Sequence, residues 1–433
     1  MPEPATSLPT VVIAGGEVLD AGGRRRADVL VEAGVVTAVG TVDGRRGATV
    51  LDAGGCVVTP GLVDLHAHLR QPGREEAETV ESGTRAAVLG GYTAVCAMPN
   101  TTPPIDSVSV VRDVLELAHG ALCEVRPVGA ITVGRAGERL APLAEMAELG
   151  VTMFTDDGDG VQDNGLMRRA LEYARPLGVT LAQHCEDDSL SLGGSMHEGE
   201  WSSRLGIPGQ PPEAEEVMVM RDIALCRMTG SPVHFQHLST AVSVDLVRRA
   251  KAEGLAVTCE ATTHHLTLTH ESCGTYDPVF KVNPPLRTDA DVAAVRAGLA
   301  DGTVDAVATD HAPHTPESKD LPFEEAPPGM LGLETALAIM VTELDLPLER
   351  VLDLMSWRPA RLARISGRHG GPTCVGGPAN LCVIDPGATW TVSGLDLASR
   401  SRNTPYQGWK LTGRVRHTLC GGEPVVVDAE AQR

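Results

Sequence analysis

The stretch DLHAHLR sets His66 and His68 one residue apart with Arg70 two positions on, and TDHAPHT brings Asp310 and His314 about 240 residues later. Alternate residues of a strand share a face, so both imidazoles of the first stretch can reach a single ion. Imidazole and carboxylate together suit a borderline divalent cation such as Zn2+. Further candidates close other apolar runs: Asp156 or Asp157 in FTDDG, His184 in VTLAQHC and His237 in PVHFQHL. With Asp310 they make six ligands, more than one tetrahedral zinc takes, and two ions sharing a bridging carboxylate would accommodate them. Arg70 adds a planar fork matched to a carboxylate on a bound molecule.

Such groups act together only if the chain converges them. Between residues of about 60 and 365 lie eight short apolar runs: LVDLHAH, YTAVCAM, VRPVGAI, VTMFTDD, VTLAQHC, PVHFQHL, AVTCEAT and VDAVATD. Helix-compatible segments such as AETVESGTRAAVLGG and EAEEVMVMRDIALCRMTG separate them and end near Gly. This alternation predicts an α/β protein with a (β/α)8 TIM barrel. His66, His68, Asn100, the FTDDG aspartates, His184, His237, His264, His265 and Asp310 all fall at C-terminal ends of runs. In a barrel that is the catalytic face, and barrel interiors otherwise favour branched aliphatics. A lone His elsewhere is more often structural, which is the reading for His119, His197, His270, His369 and His417.

The flanks read differently. TVVIAGGEVLD, DVLVEAGVVTAVG and ATVLDAGGCVVTP alternate branched residues with turns, and GGPANLCVIDPGATWTV and GRVRHTLCGGEPVVV repeat that style at the other end. We therefore expect 1–58 and 367–433 to pair into one small β-sandwich domain, with 59–366 as the barrel.

Composition excludes several classes. A formal net charge of −21 opposes a large nucleic-acid or anionic-membrane surface. No run of 18 apolar residues and no basic segment leading into an apolar stretch is present, so neither a membrane span nor a signal peptide is expected. The ten Cys include no C-x-x-C pair, which points to buried thiols in a reducing cytoplasm.

The strings GLVDLHAHLRQPG, GGYTAVCAMPNTTP, FTDDG, KVNPPLRT and TDHAPHT resemble the amidohydrolase superfamily, and within it the dihydroorotases of the first, long-chain type. The likeness spans nearly the whole chain. It implies a zinc-dependent cyclic amide hydrolase that interconverts N-carbamoyl-L-aspartate and L-dihydroorotate in de novo pyrimidine synthesis. It assigns the bridging carboxylate to Asp157, with Asp156 as the alternative, and two Zn2+ per chain to His66, His68, Asp157, His184, His237 and Asp310. A metal pair can activate water and polarise the amide carbonyl, leaving Asp310 to accept a proton from that water and pass it to the leaving nitrogen. The resemblance further gives Arg70, Asn100 and His314 to the substrate carboxylate, Asn283 with the Pro328 and Gly329 backbone to the pyrimidine ring, and His68 as a further substrate contact. It also implies a homodimer, or an assembly with aspartate carbamoyltransferase.

Two other readings compete: a related cyclic amidase (allantoinase or hydantoinase), and an inactive scaffold for the carbamoyltransferase. Many relatives of the first kind, dihydropyrimidinases included, bridge their metals with a carboxylated lysine, and no lysine precedes Lys251 here. All six ligand positions are filled, which disfavours the second. The sequence departs from the family's usual residues at Ala77 and Thr263, neither of them an assigned ligand. The Pro-rich, aperiodic stretch 314–332 is a candidate lid over the substrate.

Overall fold

The computed structural model describes residues 8–42 and 47–433; residues 1–7 and 43–46 of the expected N-terminal β segment lie outside it. Eight parallel strands form the centre. We number them β1 (Leu62–Ala67), β2 (Tyr92–Ala97), β3 (Glu124–Pro127), β4 (Met153–Phe154), β5 (Thr180–Gln183), β6 (Val233–Phe235), β7 (Val257–Thr262) and β8 (Ala306–Ala308). They pair in chain order as two arcs, β1 to β3 and β4 to β8. Parallel bridges Gly129↔Phe154 and Ala67↔His311 join the arcs at both seams.

The strands are apolar because they are covered on both sides. All six residues of β1 are buried, as are all six of β2. Helices pack outside. The helix Glu213–Thr229 ends at Gly230 in a left-handed conformation (φ 66°), which glycine adopts without steric cost. Helix Asn164–Leu177 is capped by the Asp163 carboxylate and turns Leu166, Met167, Ala170, Leu171 and Ala174 inward at helical spacing. A polar contact also holds the seam between β1 and β8: the buried Asp64 carboxylate of β1 accepts from the Thr309 amide at 3.0 Å and the Thr309 hydroxyl at 2.6 Å, just past β8.

Both chain ends build the second layer. Leu381–Thr391 pairs antiparallel with Val57–Pro60, placing C-terminal and N-terminal strands side by side in a seven-stranded sheet. A four-stranded sheet of Val35–Gly40, Asp28–Glu32, Val11–Ala14 and Thr49–Asp52 faces a core shared with it, drawn from Val11, Val29, Val58, Val383 and Leu419 among others. No helix among the described residues is long and apolar enough to cross a membrane.

Candidate metal and active site

The site lies where the barrel strands end. His66 closes β1 and His68 follows it; the pairing of β1 with β2 shifts register between Asp64 and Ala67, around His66. Such irregularities re-aim side chains. His237, Asp310 and Arg70 take positive φ values of 33°, 46° and 59°. These are uncommon for residues with a Cβ and turn each side chain toward the barrel mouth instead of along its strand.

A cavity of about 220 Å³ opens there, lined by His68, Arg70, Asn100, Asp157, His184, His237, Asn283, Asp310, His314, Pro328 and Gly329. His66 lies beneath it, fully buried. The structure thus gathers the six candidate ligands and the candidate substrate residues around one cavity and adds Arg74 to its wall, whereas His264 and His265 do not line it and His265 bonds the Thr262 hydroxyl and the Pro284 carbonyl instead.

Asp157 sits in the middle. Its Oδ1 lies 3.2 Å from His66 Nε2 and 3.7 Å from both His184 Nδ1 and His237 Nε2, and its Oδ2 lies 3.6 Å from His68 Nε2. Asp310 Oδ1 is 3.1 Å from His68 Nε2 and 3.4 Å from His66 Nε2. Two overlapping groups, His66/His68/Asp157 and Asp157/His184/His237, each hold their ligand atoms within 4.8 Å of one another, with Asp157 common to both. Asp156 points elsewhere: it accepts from the Ile131 and Thr132 amides at 2.8 and 3.0 Å and from the Thr132 hydroxyl.

The donor set fits cations. His66 Nε2 is buried and makes no hydrogen bond, although two carboxylate oxygens stand close by. His184 Nδ1 and His237 Nε2 face each other at 3.0 Å. Atoms so arranged converge on common points between them, where electron pairs need positive charge. The electrostatics agree. Burial opposes ionisation of Asp157 and Asp310, yet the surrounding imidazoles overcome it and hold both carboxyls below the usual range. Burial likewise opposes charging His184, and the Asp157 and Glu186 carboxylates reverse that, pushing it up to about 10. His66 is raised by Asp157 and Asp310 against its own burial. Without metal, His66 and His184 hold protons that a divalent ion would displace.

Beside the cluster, Arg70 is anchored by its Nε to the Pro313 carbonyl at 3.1 Å, with Nη2 3.3 Å from His314 Nε2. Burial and the Arg70 charge push His314 down to about 2, so its ring is neutral. His68 Nδ1 meets Asn100 Oδ1 at 2.8 Å. The stretch 314–332 contains a short helix, Pro316–Lys319, and the Lys319 amine ties it down by donating to the Pro278 and Pro327 carbonyls at 2.9 and 2.8 Å. Gly329 lines the cavity, and its backbone N–H donates to the Lys281 carbonyl at 2.8 Å.

Sequence reasoning passed over Glu186, Glu260, His234 and Gln236, which surround the cluster. A signal existed for Glu260, a lone charge within the apolar run AVTCEAT. His369 and His417 are structural as read, bonding Glu124 and the Asp52 carbonyl.

Comparison with known proteins accords with this geometry. The model of the dihydro-orotase-like family matches residues 55–243. A dihydroorotase of Streptomyces coelicolor is 50% identical over 97% of this chain and 99% of its own length. One from Mycobacterium leprae is 48% identical over 92% and 94%. Among solved structures, the L-hydantoinase of Arthrobacter aurescens superposes with a TM-score of 0.87 at 24% identity, covering 98% of both chains, and shows the fold alone. The D-hydantoinase of Bacillus sp. AR9 gives 0.86 at 27% identity, over 97% of this chain and 96% of that one. Fold and relatives together define a cyclic amidohydrolase, a TIM barrel with an attached β-sandwich. Within that class, the chain belongs to the dihydroorotase family.

Proposed function

We propose that this protein is a zinc-dependent dihydroorotase, interconverting N-carbamoyl-L-aspartate and L-dihydroorotate in pyrimidine synthesis. The observation that carries the reading is the position of Asp157, shared by two groups of potential ligands beneath a cavity that also holds a buried arginine. His66, His68, Asp157, His184, His237 and Asp310 would hold two Zn2+. When bound, the metals supply Lewis acidity and lower the pKa of water.

The remaining work falls to this chain's side chains. Arg70 binds the substrate carboxylate through its guanidinium fork on the cavity wall, fixed in place by Pro313, with Asn100, His68 and His314 beside it. Asn283 and the Pro328 and Gly329 backbone orient the ring. Asp310 takes a proton from the attacking water and returns it to the ring nitrogen that leaves. The stretch 314–332 covers the bound substrate. Burial of Arg70 strengthens its pairing with an anion, since little water competes for the charge.

We divide the chain into β segments 1–58 and 367–433 and a barrel 59–366, a division supported by the separate core that the two ends share. A cytoplasmic setting accords with ten free cysteines. A homodimer, or a complex with aspartate carbamoyltransferase, rests on the family resemblance.

The test is ultraviolet-monitored hydrolysis of L-dihydroorotate by the purified chain, with zinc counted in the same sample. Turnover of dihydroorotate but not of allantoin or dihydrouracil, with about two zincs per chain, is the expected result. Preference for either comparison substrate, or a folded chain without turnover, would sink the reading.

A further inference from the structure

We propose that Glu260 is a positioning residue that selects the ring tautomer of His66, the one whose Nε2 electron pair points into the cation site. Glu260 lies on β7 and is buried, as are His66 and His234. Its Oε1 is 3.1 Å from His66 Nδ1, and its Oε2 is 3.1 Å from His234 Nε2. His234 is itself fixed, its Nδ1 lying 2.8 Å from the Thr258 hydroxyl. The carboxylate is therefore held at both oxygens and cannot swing away from His66.

A second group competes for the same nitrogen. Gln236 Nε2 lies 3.2 Å from His66 Nδ1, and its amide orientation is set by the Thr155 hydroxyl, which donates to Oε1 at 2.7 Å. The two neighbours demand opposite tautomers. An amide N–H needs an electron pair on Nδ1, which would leave the ring proton on Nε2 and block it as a ligand. A carboxylate accepts, so it places the proton on Nδ1 and frees Nε2. Hydrogen bonds to an ionised acceptor are about twice as strong as neutral ones, so Glu260 prevails. His66 Nε2, which makes no hydrogen bond and faces Asp157 and Asp310, is then the electron-pair donor.

This inference rests on the metal-site reading and adds what orients one of its ligands. Zinc affinity, measured by chelator competition on wild type and Glu260→Gln, tests it, alongside circular dichroism and thermal melting of the metal-free chains. The glutamine keeps the shape but removes the charge that decides the tautomer. Affinity should fall about 10- to 100-fold at intact secondary structure. Unchanged affinity overturns the inference, whether or not the metal-free variant melts earlier, because a merely structural role lowers melting alone. Should Glu260→Gln not fold, His234→Leu, which cannot donate to Oε2, removes the second anchor of the carboxylate: a several-fold loss of affinity is expected, and an unchanged affinity overturns the inference. Wild type that binds no zinc overturns the metal reading and this inference with it, whereas zinc-binding wild type with an unaffected variant overturns this inference alone.

Discussion

His68 and Asp310 come from strand ends at opposite extremes of the barrel sequence, yet His68 Nε2 and Asp310 Oδ1 stand 3.1 Å apart. The seam between β1 and β8 makes the meeting possible. The His68 amide donates to the His311 carbonyl at 2.8 Å, stitching the chain after β1 to the chain after β8. Asp310 thus sits at the rim of the ligand cluster and lines the cavity above it. Asp310→Asn should keep part of the metal and lose about 10²- to 10⁴-fold in kcat, the usual worth of a positioned acid–base group. Full turnover in this variant would remove Asp310 from proton transfer.

Asp157 has a different place, inside the cluster instead of at its rim. Its removal takes away the one group common to both ligand sets, so Asp157→Ala should lose metal as well as activity. Asp156→Asn is the control: Asp156 braces the Ile131 and Thr132 amides, so its loss should lower melting temperature and spare zinc content. Metal analysis of both purified variants separates the roles, and retention of two zincs by Asp157→Ala contradicts the assignment.

Arg70 should act on binding more than on chemistry. Loss of a charge-assisted hydrogen bond costs about 1.5–3 kcal/mol, or roughly 10- to 150-fold in KM for Arg70→Met. Steady-state kinetics with dihydroorotate would show this, and an unchanged KM takes Arg70 out of the carboxylate site.

Acidity should work against metal. In the metal-free chain His184 is held up to about 10, so at neutral pH a binding zinc must displace its proton. Affinity therefore rises with pH, and binding in weak buffer releases protons; affinity that is flat between pH 6 and 8 would argue against His184 as a ligand. Fold stability has its own window. Burial opposes ionisation of Glu186 and Glu260, but His184 beside the first and His234 and His66 beside the second hold both down to about 2, against 4.5 for a free carboxyl. Groups so depressed stabilise the fold above pH 4.5 and lose that contribution as pH falls toward 2. Thermal melting of the metal-free chain should decline across that interval, less steeply in Glu186→Gln.

Lys319 fastens the stretch 314–332 to the Pro278 carbonyl outside it and bridges to the Pro327 carbonyl within it. Lys319→Met should quicken limited proteolysis within the stretch. A substrate analogue should slow cleavage in the wild type, and cleavage indifferent to ligand would count against a covering role.

Much of this molecule is legible in its sequence. The alternation of apolar runs with helical segments told of a barrel, because strand and helix periods are local properties of the chain. The polar residues at run ends followed from the same pattern: a His or Asp closing a buried strand is conspicuous among aliphatics. Neighbouring aspartates were not separable in this way. Asp156 and Asp157 have the same chemistry one position apart, and only the backbone turn after β4 sends one to the Thr132 amide and the other to four imidazoles.

The chain's own order of residues thus determined the elements, the family likeness and the set of groups able to meet at the barrel mouth. Tertiary structure alone decided which atoms face which: that Asp157 lies between two histidine pairs, and that Glu260, from a strand distant in sequence, stands behind His66 at 3.1 Å. The physical reason is that hydrogen bonds and ligand contacts act over about 3 Å, and the separations between side chains 194 residues apart are set by packing of the whole barrel.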